Sequence, residues 1–333
     1  MSYALQRVAE ELIQITLPRP GLPLPYGAPI NLHLVNDPTA PALVGVGLPL
    51  TLPALREALA HLGLSPERIV RVVALDWSPD QLGAIDAFPN AELFLGAPDM
   101  TTPRRYGRLI AQERDALIAR VDQLLEDPEY AALMDRGELE RVLGGYFADL
   151  PEQLDFVPLR SGHPLQLGDR RLRVVEAPGP WRGHIALHDP EDGVLLSGRL
   201  VTRPRWGEPW IRQLSTLLLS LERVQELKPR LLLPAQGLPD RDASWAIRRQ
   251  HRFMTGLLSN IPVVLAQTPT IPALICRDLG HRPPHLIRFV ETVRRYQAYL
   301  EELIRTGVVF RSGEGVWTSY GTESVEPRLI SER

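Results

Sequence analysis

Short apolar segments and helix-forming segments alternate along the first hundred residues, and this alternation constrains the fold more than any other feature of the sequence. Strand-like runs at 12–18, 30–35 and 42–47 precede a helical pattern at 51–69, a buried strand at 70–75, a short helix at 80–89 and a strand at 91–96. Such an order predicts an α/β fold in which helices cover a sheet. The opening segment, 4–14, is interpreted as an amphipathic helix or as the entry to a strand.

A largely helical stretch at about 101–149 interrupts this order and predicts a helical insertion. Strand-like runs then resume at 154–159, 163–168, 171–178, 184–189, 193–198 and 230–237, with one helix at 211–227. Beyond residue 240 the pattern predicts long helices at about 243–260 and 284–306, a short helix near 270–279, and a hairpin at 308–320 that turns at Gly313 and Gly315. We therefore expect two domains, 1–240 and 241–333, the second with a winged-helix-like order of elements.

Composition narrows the classes of function. The chain has 333 residues and a formal net charge of −3, so it lacks the chain-wide basic field that supplies non-specific nucleic-acid affinity. Its single cysteine, Cys276, cannot form an internal disulfide. No apolar run reaches the roughly 18 residues that a membrane span requires, and the first residues do not resemble a signal peptide. We expect a cytoplasmic protein that does not cross a membrane.

The segment VVALDWSPDQLGAI at 72–85 carries the most specific information, because a buried strand here runs directly into a turn and a helix. It resembles the metal-binding signature of the metallo-β-lactamase superfamily, a Thr-His-x-His-x-Asp-His run followed by Gly-Gly or Gly-Ala. Aligned on LGA at 82–84, the three histidines of the family correspond to Asp76, Ser78 and Gln81, and its aspartate corresponds to Asp80. One of the four ligands is retained.

Later signatures of the same family follow in the expected order. PGPWRGH at 178–184 has Pro180 at the liganding histidine and retains the second histidine as His184. LLSGRLV at 195–201 has Arg199 at the metal-bridging aspartate, and LLPAQG at 232–237 has Gln236 at the last histidine. An early Asp-Thr-Gly turn survives in part as GVG at 45–47.

This resemblance covers about residues 10–240, and the remainder is similar to the C-terminal winged-helix-like domain of the lactamase-β-like hydrolase branch. It implies an αββα sandwich with a helical insertion and a C-terminal winged-helix-like domain. Hydrolysis in the family depends on a metal ion, and a zinc site needs about three N, O or S ligands for each metal. The residues at the vestigial metal positions are Asp76, Ser78, Asp80, Gln81, Pro180, Arg199 and Gln236. They include no imidazole, so we expect neither a metal nor another cofactor.

Arg199 is predicted to take over the charge of the missing metal. A guanidinium stays protonated and hydrogen-bonds carboxylates in bidentate geometry, so it would pair with Asp80, Asp76 or both. Residues that would line the former cleft are Trp77, Trp181, His184 and Trp206. The helical insertion and the loop at 203–210 would border the cleft, which would accept a small anionic ligand if it is open. The histidines His163, His184 and His188 are otherwise interpreted as structural.

Three functions follow from these residues. The first is a catalytically degenerate member of the family that acts as a binding, scaffold or regulatory protein, with a protein partner or a second copy of itself. The second is a hydrolase of an ester, thioester or phosphoester with an altered site built from Asp76, Asp80 and His184. The third is nucleic-acid binding through the basic residues of the C-terminal region, which are Arg288, Arg294, Arg295, Arg305 and Arg311.

Overall fold

The computed structural model describes residues 3–19, 28–96, 106–126, 136–181, 183–202, 211, 213–267, 274, 286–312 and 319–322. Seven strands form a first sheet: β1 Ala4–Ala9, β2 Leu12–Leu17, β3 Ile30–Val35, β4 Ala42–Val44, β5 Arg71–Ala74, β6 Glu92–Gly96 and β7 Val157–Leu159. They lie side by side in chain order. Strands β1 to β4 pair antiparallel, and β4 to β7 pair parallel.

A second sheet has the order β12-β11-β10-β9-β8. Its strands are β8 Pro164–Leu167, β9 Arg170–Glu176, β10 Ile185–Asp189, β11 Val194–Gly198 and β12 Leu231–Pro234. The pairs are antiparallel except for β11 with β12, which is parallel. The helices are α1 Leu52–His61, α2 Pro79–Leu82, α3 Tyr106–Leu125, α4 Arg136–Tyr146, α5 Leu214–Glu226, α6 Ala243–Leu265 and α7 Leu286–Arg305.

The apolar core separates into layers that define the architecture. One cluster lies between the two sheets and joins residues such as Val44 and Val73 to Leu187 and Leu196. A second cluster packs α1 against the first sheet, and a third packs α5, α6 and α7 against the second sheet. The order of layers is therefore helix, sheet, sheet, helix. This confirms the αββα sandwich that the family resemblance implies.

The first element is a strand, which is one of the two alternatives that the sequence left open for residues 4–14, and the amphipathic helix is wrong. Residues Ala4–Ala9 form strand β1, which pairs antiparallel with β2. The edge of the sheet supplies the backbone partners of this segment, and such tertiary pairing overrides a weak local pattern. The short helix expected at 80–89 is also divided, into α2 and a single 3₁₀ turn at Ile85–Ala87.

The helical insertion is present as α3 and α4, which share a small apolar cluster with Leu48. In the C-terminal region the two long helices are present, and α6 continues through Pro262 to Leu265. Strands β13 Val309–Ser312 and β14 Ser319–Thr322 form the expected antiparallel hairpin. The turn expected at Gly313 and Gly315 lies outside the described residues, as does the short helix near 270–279 apart from residue 274.

The third apolar cluster runs across the boundary expected at residue 240. It contains Leu217 and Leu221 of α5 together with Ile247 of α6 and Tyr299 of α7. Helix α6 thus contributes to the outer layer of the sandwich, and the division into two domains stays a prediction. Among the described helices, none is long and apolar enough to cross a bilayer.

Candidate functional site

The predicted site residues lie on loops that follow the strands of both sheets. Residues 76–80 follow β5, and Arg199 follows β11. The turn at 45–47 fastens the first of these loops, because the N–H of Gly47 donates to the carbonyl of Asp80 at 3.0 Å and the N–H of Val46 donates to that of Gln81 at 3.1 Å. Gly47 has a φ of +77°, which only glycine adopts without strain.

Asp80 is the centre of a buried charge cluster. The Nη2 of Arg199 donates to its Oδ2, and the Nη1 of Arg19 donates to Oδ1 at 2.9 Å and to Oδ2 at 3.2 Å. The hydroxyl of Tyr146 donates to Oδ2 at 3.2 Å. Both guanidinium groups and the carboxylate are buried. The predicted contact between Arg199 and Asp80 is confirmed.

Asp76 lies beside this cluster and is completely buried. Its Oδ1 accepts the backbone N–H of Ser78 at 2.8 Å. Its Oδ2 is 3.8 Å from the Nε of Arg199, which is within ion-pair range but beyond hydrogen-bond distance. Arg199 therefore faces both carboxylates and hydrogen-bonds Asp80.

The other predicted positions are buried or half-buried. The Oε1 of Gln81 accepts the backbone N–H of Leu75 at 3.1 Å. Ser78 precedes helix α2 and is buried, as is Pro180. Gln236 is half-buried just after β12. Gln81 therefore ties its loop to the end of strand β5.

His184 connects the 178–184 segment to the end of β11. Its Nε2 accepts the backbone N–H of Arg199 at 3.2 Å, so a neutral ring carries its proton on Nδ1. Burial lowers the pKa of His184, and the nearby charge of Asp76 only partly opposes this. Gly198 has a φ of +56°, and a Cβ there would lie 2.7 Å from that Nε2. The close approach of His184 to the strand end therefore requires glycine.

The aromatic residues predicted to line the cleft are largely buried. Trp77 donates its indole N–H to the carbonyl of Gly96 at 2.9 Å and packs against Tyr106, with ring centroids 6.4 Å apart. Trp181 belongs to the same apolar cluster. Burial, with Asp76 adding to it, raises the pKa of Tyr106 well above its usual value, so the phenol stays neutral. Trp206 and the loop at 203–210 lie outside the described residues.

The donors at these positions do not fit a catalytic zinc ion. A dication bound by Asp80 would have to displace the guanidinium groups of Arg19 and Arg199, both of which remain charged in proteins. Among the described residues, a group of acids that could hold a metal occurs elsewhere, at Glu11, Asp37 and Asp169, whose oxygens lie within 4.8 Å of one another. None of these three residues is at a ligand position of the family signatures.

Sequence reasoning missed Arg19 and Tyr146. Arg19 lies between two prolines after β2, and no motif marks it as a partner of Asp80. Tyr146 does carry a weak signal, since it shares helical spacing with the buried residues Val142 and Leu143. That spacing predicts burial but not the partner of the hydroxyl. The insertion was expected to border the site, and Tyr146 shows that it reaches Asp80.

Comparisons with known proteins agree with this architecture. Residues 109–236 match the model of the metallo-beta-lactamase superfamily. A solved metallo-beta-lactamase family protein from Thermus thermophilus superposes with a TM-score of 0.72 at 24% identity, over 95% of this chain and 100% of that one. The two sheets and their helix layers therefore have the fold of metallo-β-lactamase proteins. The segment 109–236 is also similar in sequence to the metallo-beta-lactamase superfamily.

Curated relatives are similar over parts of the chain. The acyl-coenzyme A thioesterase MBLAC2 of Gallus gallus is 33% identical over 103 residues, which is 30% of this chain and 36% of that protein. A probable metallo-hydrolase, YqjP of Bacillus subtilis (strain 168), is 21% identical over 238 residues, 68% of this chain and 72% of that protein. The match thus spans about a third of the length of the thioesterase. By their names these relatives are hydrolases.

Proposed function

We propose that this chain is a non-catalytic member of the superfamily, in which an arginine and aspartate cluster replaces the catalytic metal and the protein acts by binding. The observation that carries this proposal is the pair of guanidinium groups on Asp80. A buried carboxylate needs a counter-charge, and here arginine supplies it. The cluster therefore stabilises the interior of the fold without a metal ion.

The hydrogen bonds that the site residues already accept support the same proposal. A general base must have a free nitrogen or oxygen within reach of the proton that it takes. The Nε2 of His184 already accepts a backbone N–H, and both oxygens of Asp80 accept from arginine. Ser78 and Asp76 are completely buried. None of these groups is presented to a substrate in the described part of the chain.

Metal content tests the proposal. Protein purified without chelators and then equilibrated with zinc, iron or manganese and desalted should retain less than about a tenth of an equivalent, because the ligand positions hold no imidazole and two arginines already contact Asp80. Mass spectrometry of the metals gives the measurement. Asp80→Asn and Asp37→Asn variants locate any metal that does remain. One tightly held equivalent that Asp80→Asn removes and Asp37→Asn does not would contradict the proposal.

A thioester hydrolase is the second candidate, and the similarity to the MBLAC2 thioesterase favours it. Its residues would be Asp76, Asp80 and His184. Acyl-coenzyme A hydrolysis by the full chain tests it, with and without added metal. Turnover that disappears in the Asp76→Asn variant, while that variant keeps its fold by circular dichroism, would support this candidate and contradict the non-catalytic one.

A further inference from the structure

In the part of the chain that the structure describes, the large exposed apolar side chains lie in one layer of the sandwich. Among the described residues, the large apolar side chains that are exposed are Leu219, Leu238, Trp245, Phe253, Val263, Ile304 and Phe310. All of them lie on or beside α5, α6, α7 and β13. The described part of the opposite helix layer, formed by α1, α3 and α4, has none. Concentrated exposure of this kind marks an interaction surface.

Helix α6 presents the centre of this surface. Trp245 is 41% exposed, Phe253 52% and Val263 66%. Helical spacing places Trp245, Arg252 and Val263 on one line opposite the buried residues Ile247 and Met254. The guanidinium of Arg249 lies 4.6 Å from the centre of the Trp245 ring. Tryptophan, phenylalanine and arginine are the residue types that protein interfaces favour.

The charges on this surface divide between two neighbouring helices. Helix α6 contains three arginines, Arg248, Arg249 and Arg252, and no acidic residue. Helix α5 exposes Glu222 and Glu226 beside Leu219. It also exposes Arg223, whose Nη1 donates to the backbone carbonyl of Glu176. The two helices are adjacent, since the Nε2 of His251 lies 3.2 Å from the Oε1 of Glu222. An acidic strip and a basic strip thus lie side by side.

We infer that this α5–α6 surface, defined by Leu219, Glu222, Glu226, Trp245, Arg248 and Arg252, binds a second copy of the same chain about a twofold axis. A twofold contact requires one patch to complement itself. A second copy places the basic strip of α6 over the acidic strip of α5 in both directions, with Trp245 and Leu219 between them. A purely polyanionic partner would leave the glutamates of α5 facing like charge.

The size of the surface fits a stable dimer. The 23 residues of α6 extend about 34 Å, and α5 packs alongside at about 10 Å. The 13 residues of α5 extend about 20 Å, so strips about 10 Å wide along the two helices cover on the order of 500 Å². Two copies would together bury about 1,000 Å², the size at which specific interfaces begin. The inference does not depend on whether the buried site is catalytic.

Charge reversal of each strip tests the inference on the full chain. Wild-type protein should be a dimer by sedimentation velocity and by light scattering after size exclusion. An Arg248→Glu, Arg252→Glu variant and a Glu222→Arg, Glu226→Arg variant should each be monomeric, because each then places like charges opposite one another. An equimolar mixture of the two should form a heterodimer, in which every contact is between opposite charges. Trp245→Ala should weaken the wild-type dimer by at least about tenfold.

Arg56→Glu, an exposed charge reversal on α1, is the matched control and should leave the dimer intact. Circular dichroism verifies that each variant is folded. A monomeric wild-type chain, a dimer that survives both reversals, or reversed variants that do not combine would each overturn the inference. Binding of single-stranded RNA by a wild-type monomer, lost on Arg248→Glu and Arg252→Glu, would assign the surface to nucleic acid instead.

Discussion

Asp80 is held between two arginines that come from distant parts of the chain, Arg19 and Arg199. Two buried cations beside two buried carboxylates, Asp76 and Asp80, give a cluster without net formal charge. Removing one member leaves the others under-compensated in a medium of low dielectric constant. The stability of the fold should therefore depend on the whole cluster and not on any single pair.

Arg199→Ala should lower the free energy of unfolding by about 3 kcal/mol, at the lower end of the range for a broken buried ion pair because Arg19 remains. Adding Asp80→Asn should recover part of this loss, since one cation and one carboxylate, Arg19 and Asp76, then remain and the cluster is again without net formal charge. Denaturant titrations of the two single variants and the double variant measure the coupling.

Arg114→Ala, which removes an exposed ion pair with Asp115, is the control and should change stability by less than about 0.5 kcal/mol. Strictly additive effects of Arg199→Ala and Asp80→Asn would contradict the cluster.

Buried histidines make the fold sensitive to acid. Burial lowers the pKa of His33 from 6.5 to about 3 and also lowers that of His184. The unfolded chain takes up these protons as the pH falls below 6.5, whereas the folded chain does not. Below pH 6.5 the free energy of unfolding should therefore fall by about 1.4 kcal/mol per pH unit for each histidine, down to its folded pKa.

Comparing wild type with the His33→Gln variant measures how much His33 contributes to this pH dependence. The variant keeps a polar side chain of similar size but cannot titrate, so its stability should fall less steeply between pH 6 and about 4. Urea titrations at several pH values measure the two slopes. Parallel slopes would mean that His33 takes up a proton in the folded protein.

At the scale of elements, the insertion is fastened to the sandwich through α4. The hydroxyl of Tyr146 reaches Asp80, and its ring packs edge-on against Phe147 at 5.0 Å between centroids. Leu143 and Val142 of the same helix are buried as well. The local stability of helix α4 should therefore depend on the charge cluster.

Tyr146→Phe should destabilise the protein by about 1 to 2 kcal/mol, because it removes a hydrogen bond to a buried charged group. Amide hydrogens of α4 should exchange faster with solvent in this variant. Tyr106→Phe is the matched control: the Tyr106 hydroxyl is buried and has no hydrogen-bond partner among the described residues, so its removal should be neutral or stabilising. Equal losses in the two variants would contradict a specific role for Tyr146.

Most elements were predictable from the sequence because their local patterns agree with their burial. Strand β5, whose last three residues are buried, was expected from its apolar run. Strand β1 was left open between helix and strand, because all of its residues are exposed or half-buried and the partner strand decides its conformation. Likewise the contact between Arg199 and Asp80 was predictable because both residues lie in segments that resemble family signatures, whereas Arg19 belongs to no such segment. A contact between distant segments is determined by the tertiary fold, which local spacing does not encode.

At the scale of the whole molecule, the boundary expected at residue 240 follows the charge of the chain and not its apolar core. The composition changes there, from a net charge of −7 over residues 1–240 to +4 beyond them. The apolar cluster nevertheless continues from Leu221 of α5 to Ile247 of α6 and Tyr299 of α7. Charge is a property of the surface and apolar packing is a property of the interior, so the two need not change at the same residue.

The position of the insertion has a consequence for how the chain reaches its fold. Strand β7 pairs in parallel with β6, yet residues 97–156, sixty residues, separate them along the chain. Closing a loop of that length opposes folding by about 3.6 kcal/mol plus a constant. During synthesis the backbone of β6 stays an unpaired edge until β7 emerges, and the exposed Glu92 at its start is the kind of charged side chain that keeps such an edge from pairing with another chain.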